Sequence, residues 1–327
     1  MEFRTIVKTA EHQGLLHHSD EVMLLGSCFS DNIGGKMLGA MMRASVNPVG
    51  TLFNPLSISA AVDRIIDDAE VTPSSLFSQN GVWNSFDFHS RFSMASKEAT
   101  LQLMNCAIHE AHECLKRCSM LIITVGTAVV YRHKETGAVV ANCHKVPQSE
   151  FTRGLASCEQ LTEALTHIIE RVHAFNSKVH ITFTVSPVRH IADGLEMNSL
   201  SKALMRVAVG NVETHYGQLV DYFPAFEIVN DDLRDYRFYA PDMIHPSDVA
   251  IEYLWKAFQA TYLDDASAQA VARCERTYKR LQHRHLSDSR EARERFEADT
   301  RTVINKLVSE YPYLAENKRL APFIDNK

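Results

Sequence analysis

The feature that most constrains this chain is a set of short apolar runs set between longer segments of helical spacing. Val22 to Leu25, Leu121 to Val125 and Val179 to Val185 read as strands buried on both faces. A further short strand is expected at Ala44–Val46, a last one at Phe226–Val229, and an edge strand at Phe3–Val7. Between the strands, apolar residues recur every three or four positions. Ile33, Met37, Leu38 and Met41 do so over 31–42, and Ile58, Val62 and Ile65 over 57–68. Helices are likewise expected over 97–117, 158–176 and 199–216. Strands that alternate with helices imply a parallel sheet joined by crossover helices, hence an α/β fold.

Two stretches interrupt this pattern. Phe77 to Phe92 is aromatic and rich in turn residues, and reads as a loop or hairpin inserted over one end of the sheet. Val129 to Val140 reads as a hairpin turning at Glu135-Thr136-Gly137. Beyond about residue 266 the character changes. The segment 273–308 is rich in Arg and Glu with sparse apolar residues, as expected of helices with a solvated face.

Composition narrows the function classes. The 327 residues carry a net charge of −6, and no basic stripe marks a nucleic-acid partner. No apolar run is long enough for a membrane span, and the amino-terminal residues lack a signal-peptide pattern. The seven cysteines are odd in number and without paired metal spacing. Free thiols in a cytoplasmic protein are therefore expected. His109-Glu110-Ala111-His112-Glu113 is one residue short of a zinc-protease spacing and reads as a solvated helix face. No metal and no cofactor are expected.

The stretch with most chemistry in it is Glu21 to Gly35. An apolar run stops at Gly26, and Ser27 and Cys28 follow where strand turns to helix. Backbone N–H groups at a helix start favour negative charge. A hydroxyl or thiol there can attack a carbonyl while amides hold the oxyanion. The same positions would also serve structurally, with Ser27 capping the helix and Cys28 filling the core.

Gly26-Ser27-Cys28-Phe29-Ser30 resembles the opening motif of the GSCFA family, whose last position is commonly Ala. Further blocks resemble that family: Asn47 to Pro55, Val125-Gly126-Thr127-Ala128, Thr184 to His190 and Asp242-Met243-Ile244-His245-Pro246. Together they cover roughly residues 1–260. The family is similar to the SGNH/GDSL hydrolases. That resemblance implies a three-layer flavodoxin-like (SGNH-type) parallel sheet with helices on both faces. It divides the chain into an α/β domain over 1–262 and a helical extension over 263–327 packed on it.

Asp242 and His245 have the spacing of the Asp-x-x-His block that closes the SGNH pattern. An Asp three residues away can orient an imidazole, whose ordinary pKa suits a general base. Alignment without a gap puts Cys28 at the nucleophile, and a shift of one residue puts Ser27 there. The helix start is expected to lower the Cys28 pKa. Gly50 matches the second-block glycine, which implies an oxyanion donor. The third block of the superfamily carries an Asn, which this chain lacks at Gly126-Thr127-Ala128-Val129. Thr127 through its hydroxyl, or Asn142 through its amide, would replace it, unless Thr127 is strand-end packing and Asn142 a turn residue.

His89, among aromatics at Trp83 to Ser90, suggests a sugar-binding wall or a structural histidine. Arg189-His190, after a strand end, suggests a clamp on an anionic or polyhydroxyl substrate, or an ion pair with Asp231, Asp232 or Asp235. Asn142-Cys143-His144-Lys145 is structural or substrate-lining. The resemblance implies an esterase acting on an acetylated carbohydrate, so a small-molecule or glycan ester is the expected partner. The alternatives are an acyltransferase with an acyl-thioester donor and a non-catalytic carbohydrate-binding module on the same fold.

Overall fold

The computed structural model describes residues 4–282 and 289–324. β1 (Glu21–Gly26) leads into α1 (Cys28–Gly39), and β2 (Arg43–Val46) into α2 (Pro55–Ile66). The short strands β3 (Phe77–Gln79) and β4 (Val82–Asn84) precede α3 (Lys97–Arg117) and β5 (Met120–Val125). After β6 (Val129–His133), β7 (Val139–Val140) and β8 (Phe151–Leu155) come α4 (Cys158–Phe175), β9 (His180–Val185), α5 (Gly194–Tyr216) and β10 (Val220–Tyr222). A single turn α6 (Ala225–Glu227) runs into a π-helical turn, Ile228–Leu233, followed by α7 (Asp248–Tyr262), α8 (Asp265–Leu281) and α9 (Arg290–Glu310).

The central sheet has the order β2-β1-β5-β9-β10, and every pairing in it is parallel. This is the flavodoxin-like order. Alternate side chains point to opposite faces, and both faces are covered. Met23, Leu25, Leu121, Ile123, Ile181 and Phe183 pack under α2, α3, α4 and α5. Val22, Leu24, Met120 and Ile122 pack under α1 and α7, where Trp255, Phe258 and Tyr262 are fully buried or nearly so. At about 25 cal/mol per Å² of apolar surface removed from water, these two layers are the main source of stability.

β1 connects outward to β2, while β5 pairs with the other side of β1. The chain reverses direction across the sheet between β1 and β5. Loops leaving the carboxyl ends of two such strands diverge and leave a crevice, which is where ligands bind in open α/β sheets. Ser27 and Gly126 are the first residues past these two strand ends.

The aromatic insertion is the β3–β4 hairpin, as the turn residues predict. The hairpin predicted at 129–140 is present as β6 and β7, but β8 joins it as a third antiparallel strand. Phe86 holds the two insertions together, its ring tilted against Phe77 at 4.2 Å and edge-on to Phe151. The last strand is misplaced in the sequence reading. Phe226–Val229 is helical, and the strand is Val220–Tyr222. Residues 4–7 form no strand, and Phe3 lies outside the described residues. Helix α1 starts at Cys28, three residues before the predicted bound, because Ser27 caps it.

The segment after 263 is helical where it is described; part of the predicted 273–308 stretch, residues 283–288, lies outside the described residues. Cys274 of α8, Ile304 and Leu307 of α9, Leu314 and Leu320 close a small apolar cluster over Met41. No helix among the described residues is long and apolar enough to cross a membrane.

Candidate active site

The site starts at Gly26. Its φ of +131° is a conformation side chains rarely adopt, and a Cβ there would stand 2.1 Å from the carbonyl oxygen of Thr124. Glycine thus lets β1 end flush against β5. Its amide donates to Oδ1 of the fully buried Asn47 at 2.9 Å. Asn47 Nδ2 in turn donates to Asp31 Oδ1 at 2.8 Å. One side chain therefore joins the turn after β1, the loop after β2 and the first turn of α1.

Ser27 is 1% exposed and caps α1, its Oγ accepting the Phe29 amide at 3.3 Å. Cys28, the first residue of the helix, is half-buried. Burial pushes its thiol above the ordinary range and the Asp31 carboxylate pushes it further. The amides of Cys28 and Phe29 and the charge of Lys202 act the other way, with less effect. The helix start therefore does not give the lowered pKa expected from sequence; desolvation outweighs it.

Gly126, just past β5, lies across the crevice. The place a Cβ would occupy on it is 3.3 Å from both Ser27 Cβ and His190 Nε2. His190 is held edge-on to Phe53, and its amide donates to Asn198 Oδ1 at 2.9 Å. Its Nε2 is buried with no hydrogen-bond partner. Burial, then the charges of Lys202 and His245, lower its pKa to about 4, so the ring is neutral near pH 7. Sequence reasoning named His190 only as the neighbour of Arg189.

Lys202 was missed altogether. It is 3% exposed, and Nζ donates to the carbonyls of Gly126 and Ser186 at 2.6 and 2.7 Å. Burial lowers its pKa to about 7, opposed by Cys28. A signal was present. Lys202 falls in register with Met205, Val209 and Val212, the buried face of α5. A lysine in that stripe is a functional candidate.

The Asp242–His245 segment stands beside His190. Arg189 N–H donates to the Ile244 carbonyl at 3.3 Å, tying the segment to the loop after β9. His245 Nδ1 donates to Asp242 Oδ2 at 2.7 Å, and Asp242 Oδ1 accepts the amides of Ile244 and His245 at 2.9 and 3.0 Å. These bonds, led by the His245 amide, lower the Asp242 pKa to about 2. Among the described residues no hydrogen bond joins His245 to Ser27 or Cys28, as is common before substrate binds.

The residues expected to supply oxyanion donors each have a partner within the fold. Gly50 N–H donates to the Asn47 carbonyl at 2.7 Å. Thr127 Oγ1 accepts the Val129 amide and bonds Ser201 Oγ, which fixes the strand end. Asn142 Oδ1 accepts the His144 amide at 2.9 Å, a turn role, beneath the aromatic insertion. His144 Nε2 donates to the carbonyls of Ser85 and Phe88, so that residue is structural.

His89 lies against Gly50, and its Nδ1 accepts the Arg91 amide. The Asp31 charge reaches both His89 and Cys28, so His89 borders the Ser27–Cys28 turn. Arg189 makes no ion pair with the aspartates considered. Asp232 binds Arg4 and Tyr253, and Asp235 binds Arg237. Arg189 stacks 4.1 Å over Tyr239 and 5.2 Å from Tyr236, at the edge of the His245 loop.

The ordered blocks, four of them now seen at strand ends, agree with a sequence comparison: the GSCFA family model matches residues 21–258. The chain belongs to the GSCFA family. Comparison with curated proteins gives no match. The GSCFA match ends within α7, so α8 and α9 lie beyond it.

Proposed function

We propose that this GSCFA protein is an esterase of SGNH type that removes an acyl group from an acylated carbohydrate through a thioester on Cys28. The observation that carries this reading is the Asp242–His245 pair beside the crevice. Its carboxylate fixes Nδ1 as the protonated nitrogen, and no described residue engages Nε2. Cys28 is the better-placed nucleophile, because Ser27 Oγ is buried and committed to the helix cap. The substrate class rests on the resemblance of the sequence blocks to SGNH enzymes. Seven free thiols fit a reducing, cytoplasmic setting.

In this mechanism His245 Nε2 takes the Cys28 thiol proton as sulfur attacks the ester carbonyl. The Cys28 amide and His190, in the tautomer that carries its proton on the unpartnered Nε2, receive the oxyanion, in place of the absent third-block Asn. Collapse breaks the acyl C–O bond, and His245 returns the proton to the leaving alcohol. Water, deprotonated by His245, then releases the acid and regenerates the thiol. The test is turnover of p-nitrophenyl acetate. His245→Ala is expected to abolish it with the circular dichroism spectrum unchanged; an equally active His245→Ala protein overturns the proposal.

An acyltransferase is the second reading, favoured by a thiol rather than a hydroxyl at the turn. A thioester exchanges acyl groups readily with other nucleophiles. Protection of Cys28 from alkylation by acetyl-coenzyme A, with acetyl transferred to the protein, would favour transfer over hydrolysis. Binding of an unmodified oligosaccharide without any turnover would instead indicate a carbohydrate-binding module.

A further inference from the structure

Lys202 is the one Lys or Arg buried among the described residues. Its two close partners are neutral carbonyls, and no carboxylate lies within ion-pairing distance of it among the described residues. A buried ammonium without an anion is unfavourable, and proteins seldom retain one without use. Nζ has three donors, and two are spent on Gly126 and Ser186. Those two residues directly follow β5 and β9, so the ammonium ties the β5 loop that bounds the crevice to the neighbouring β9 loop. Gly126 also abuts Ser27.

We propose that Lys202 is a positioning residue whose counter-ion forms during reaction: its ammonium holds the Gly126 and Ser186 loops together and pairs electrostatically with the Cys28 thiolate. This deepens the reading of Cys28 as nucleophile and rests on it. The titratable groups whose charge reaches Cys28 are Asp31, from the same helix, and Lys202, from α5. Asp31 opposes the thiolate and Lys202 favours it. On the far side Lys202 faces His190, which stays neutral. The base His245 and the cation Lys202 thus have separate tasks, one moving the proton and the other stabilising what remains.

The test is the pH dependence of Cys28 alkylation by iodoacetamide, followed by mass spectrometry on the whole chain. Lys202→Gln keeps amide donors for the two carbonyls and removes the charge; Lys202→Met removes both. In Lys202→Gln alkylation is expected to slow about tenfold below pH 7, where Lys202 carries its charge, and to match the wild type at pH 9, where the lysine is neutral. Lys202→Arg is expected to keep the wild-type rate below pH 7 and to exceed it at pH 9, because a guanidinium stays charged there. An unchanged rate below pH 7 in folded Lys202→Gln overturns the proposal. If the neutral variants do not fold, Lys202→Arg serves alone, and a rate equal to that of the wild type at pH 9 overturns the proposal equally. Ester turnover is read separately. Its absence in the wild type would refute the esterase reading, while the rate difference would still support Lys202.

Discussion

Asp242 and His245 form a closed local unit in which one carboxylate oxygen takes the imidazole Nδ1–H and the other takes the His245 backbone amide. Asp242→Asn would remove the charge and offer an amide donor where an acceptor is needed. Turnover of p-nitrophenyl acetate is expected to fall about a hundredfold or more, as when an orienting carboxylate is lost from a catalytic histidine. The carboxylate pKa of about 2 lies below its ordinary value. The pair's contribution is therefore complete above the usual carboxylate range and is lost only as pH falls through about 2. A pH–rate profile of the wild type with no acid limb from this group would agree.

Gly50 and His89 are in tight contact. Gly50 has φ of +95°, and a Cβ on it would lie 2.1 Å from His89 Cβ. Gly50→Ala is expected to cost about 2–4 kcal/mol of unfolding free energy, from backbone strain together with overpacking. Urea unfolding measures it. A loss within 0.5 kcal/mol, about the effect of an ordinary surface substitution, would mean that the loop relaxes freely.

Asn47 joins three segments through its side chain. Asn47→Ala would leave the buried Gly26 amide without its acceptor and Asp31 without a donor. About 1–3 kcal/mol of stability is expected to be lost, the usual penalty for an unsatisfied buried group. Asn47→Asp should be no rescue, because it sets a second carboxylate against Asp31. Equal stability of wild type and Asn47→Ala would contradict this role.

His190 gives the protein an acid sensitivity. Its folded pKa, about 4, lies below the ordinary 6.5. Between these values the unfolded chain binds the extra proton, so stability is full above about pH 6.5 and falls as pH drops toward 4. His18, His89, His144 and His173 shift in the same direction. His190→Gln is expected to flatten the stability profile over pH 4–6.5 by about 1–3 kcal/mol, leaving stability above pH 7 less affected. An unchanged slope would mean that His190 is hydrated in the folded state.

Much of this architecture was legible because burial on both faces makes β1, β5 and β9 nearly continuous apolar runs. The last strand was not legible, since Asp221 sits in the middle of Val220–Tyr222. That aspartate is buried because Tyr262, His180 and His12 partner it from distant parts of the chain. Phe226–Val229 has a strand's composition, yet Ile228 and Val229 are buried against α7, which a helical turn achieves. The site was legible as positions and not as roles. Ser27, Cys28, Asp242 and His245 lie at the predicted turns. The bonds that Gly50, Thr127 and Asn142 make depend on partners that spacing cannot reveal. Lys202 was hidden because charge in a helix ordinarily marks its solvated face.

The most direct test of the account is site-resolved labelling of the wild type and His245→Ala. Each is treated with limiting iodoacetamide or with a fluorophosphonate and mapped by mass spectrometry. The account predicts that Cys28 is alkylated ahead of the other six thiols, that His245→Ala removes this preference, and that Ser27 is not phosphonylated. Phosphonylation of Ser27 that depends on His245, or alkylation of Cys28 at the same rate in both proteins, would contradict it.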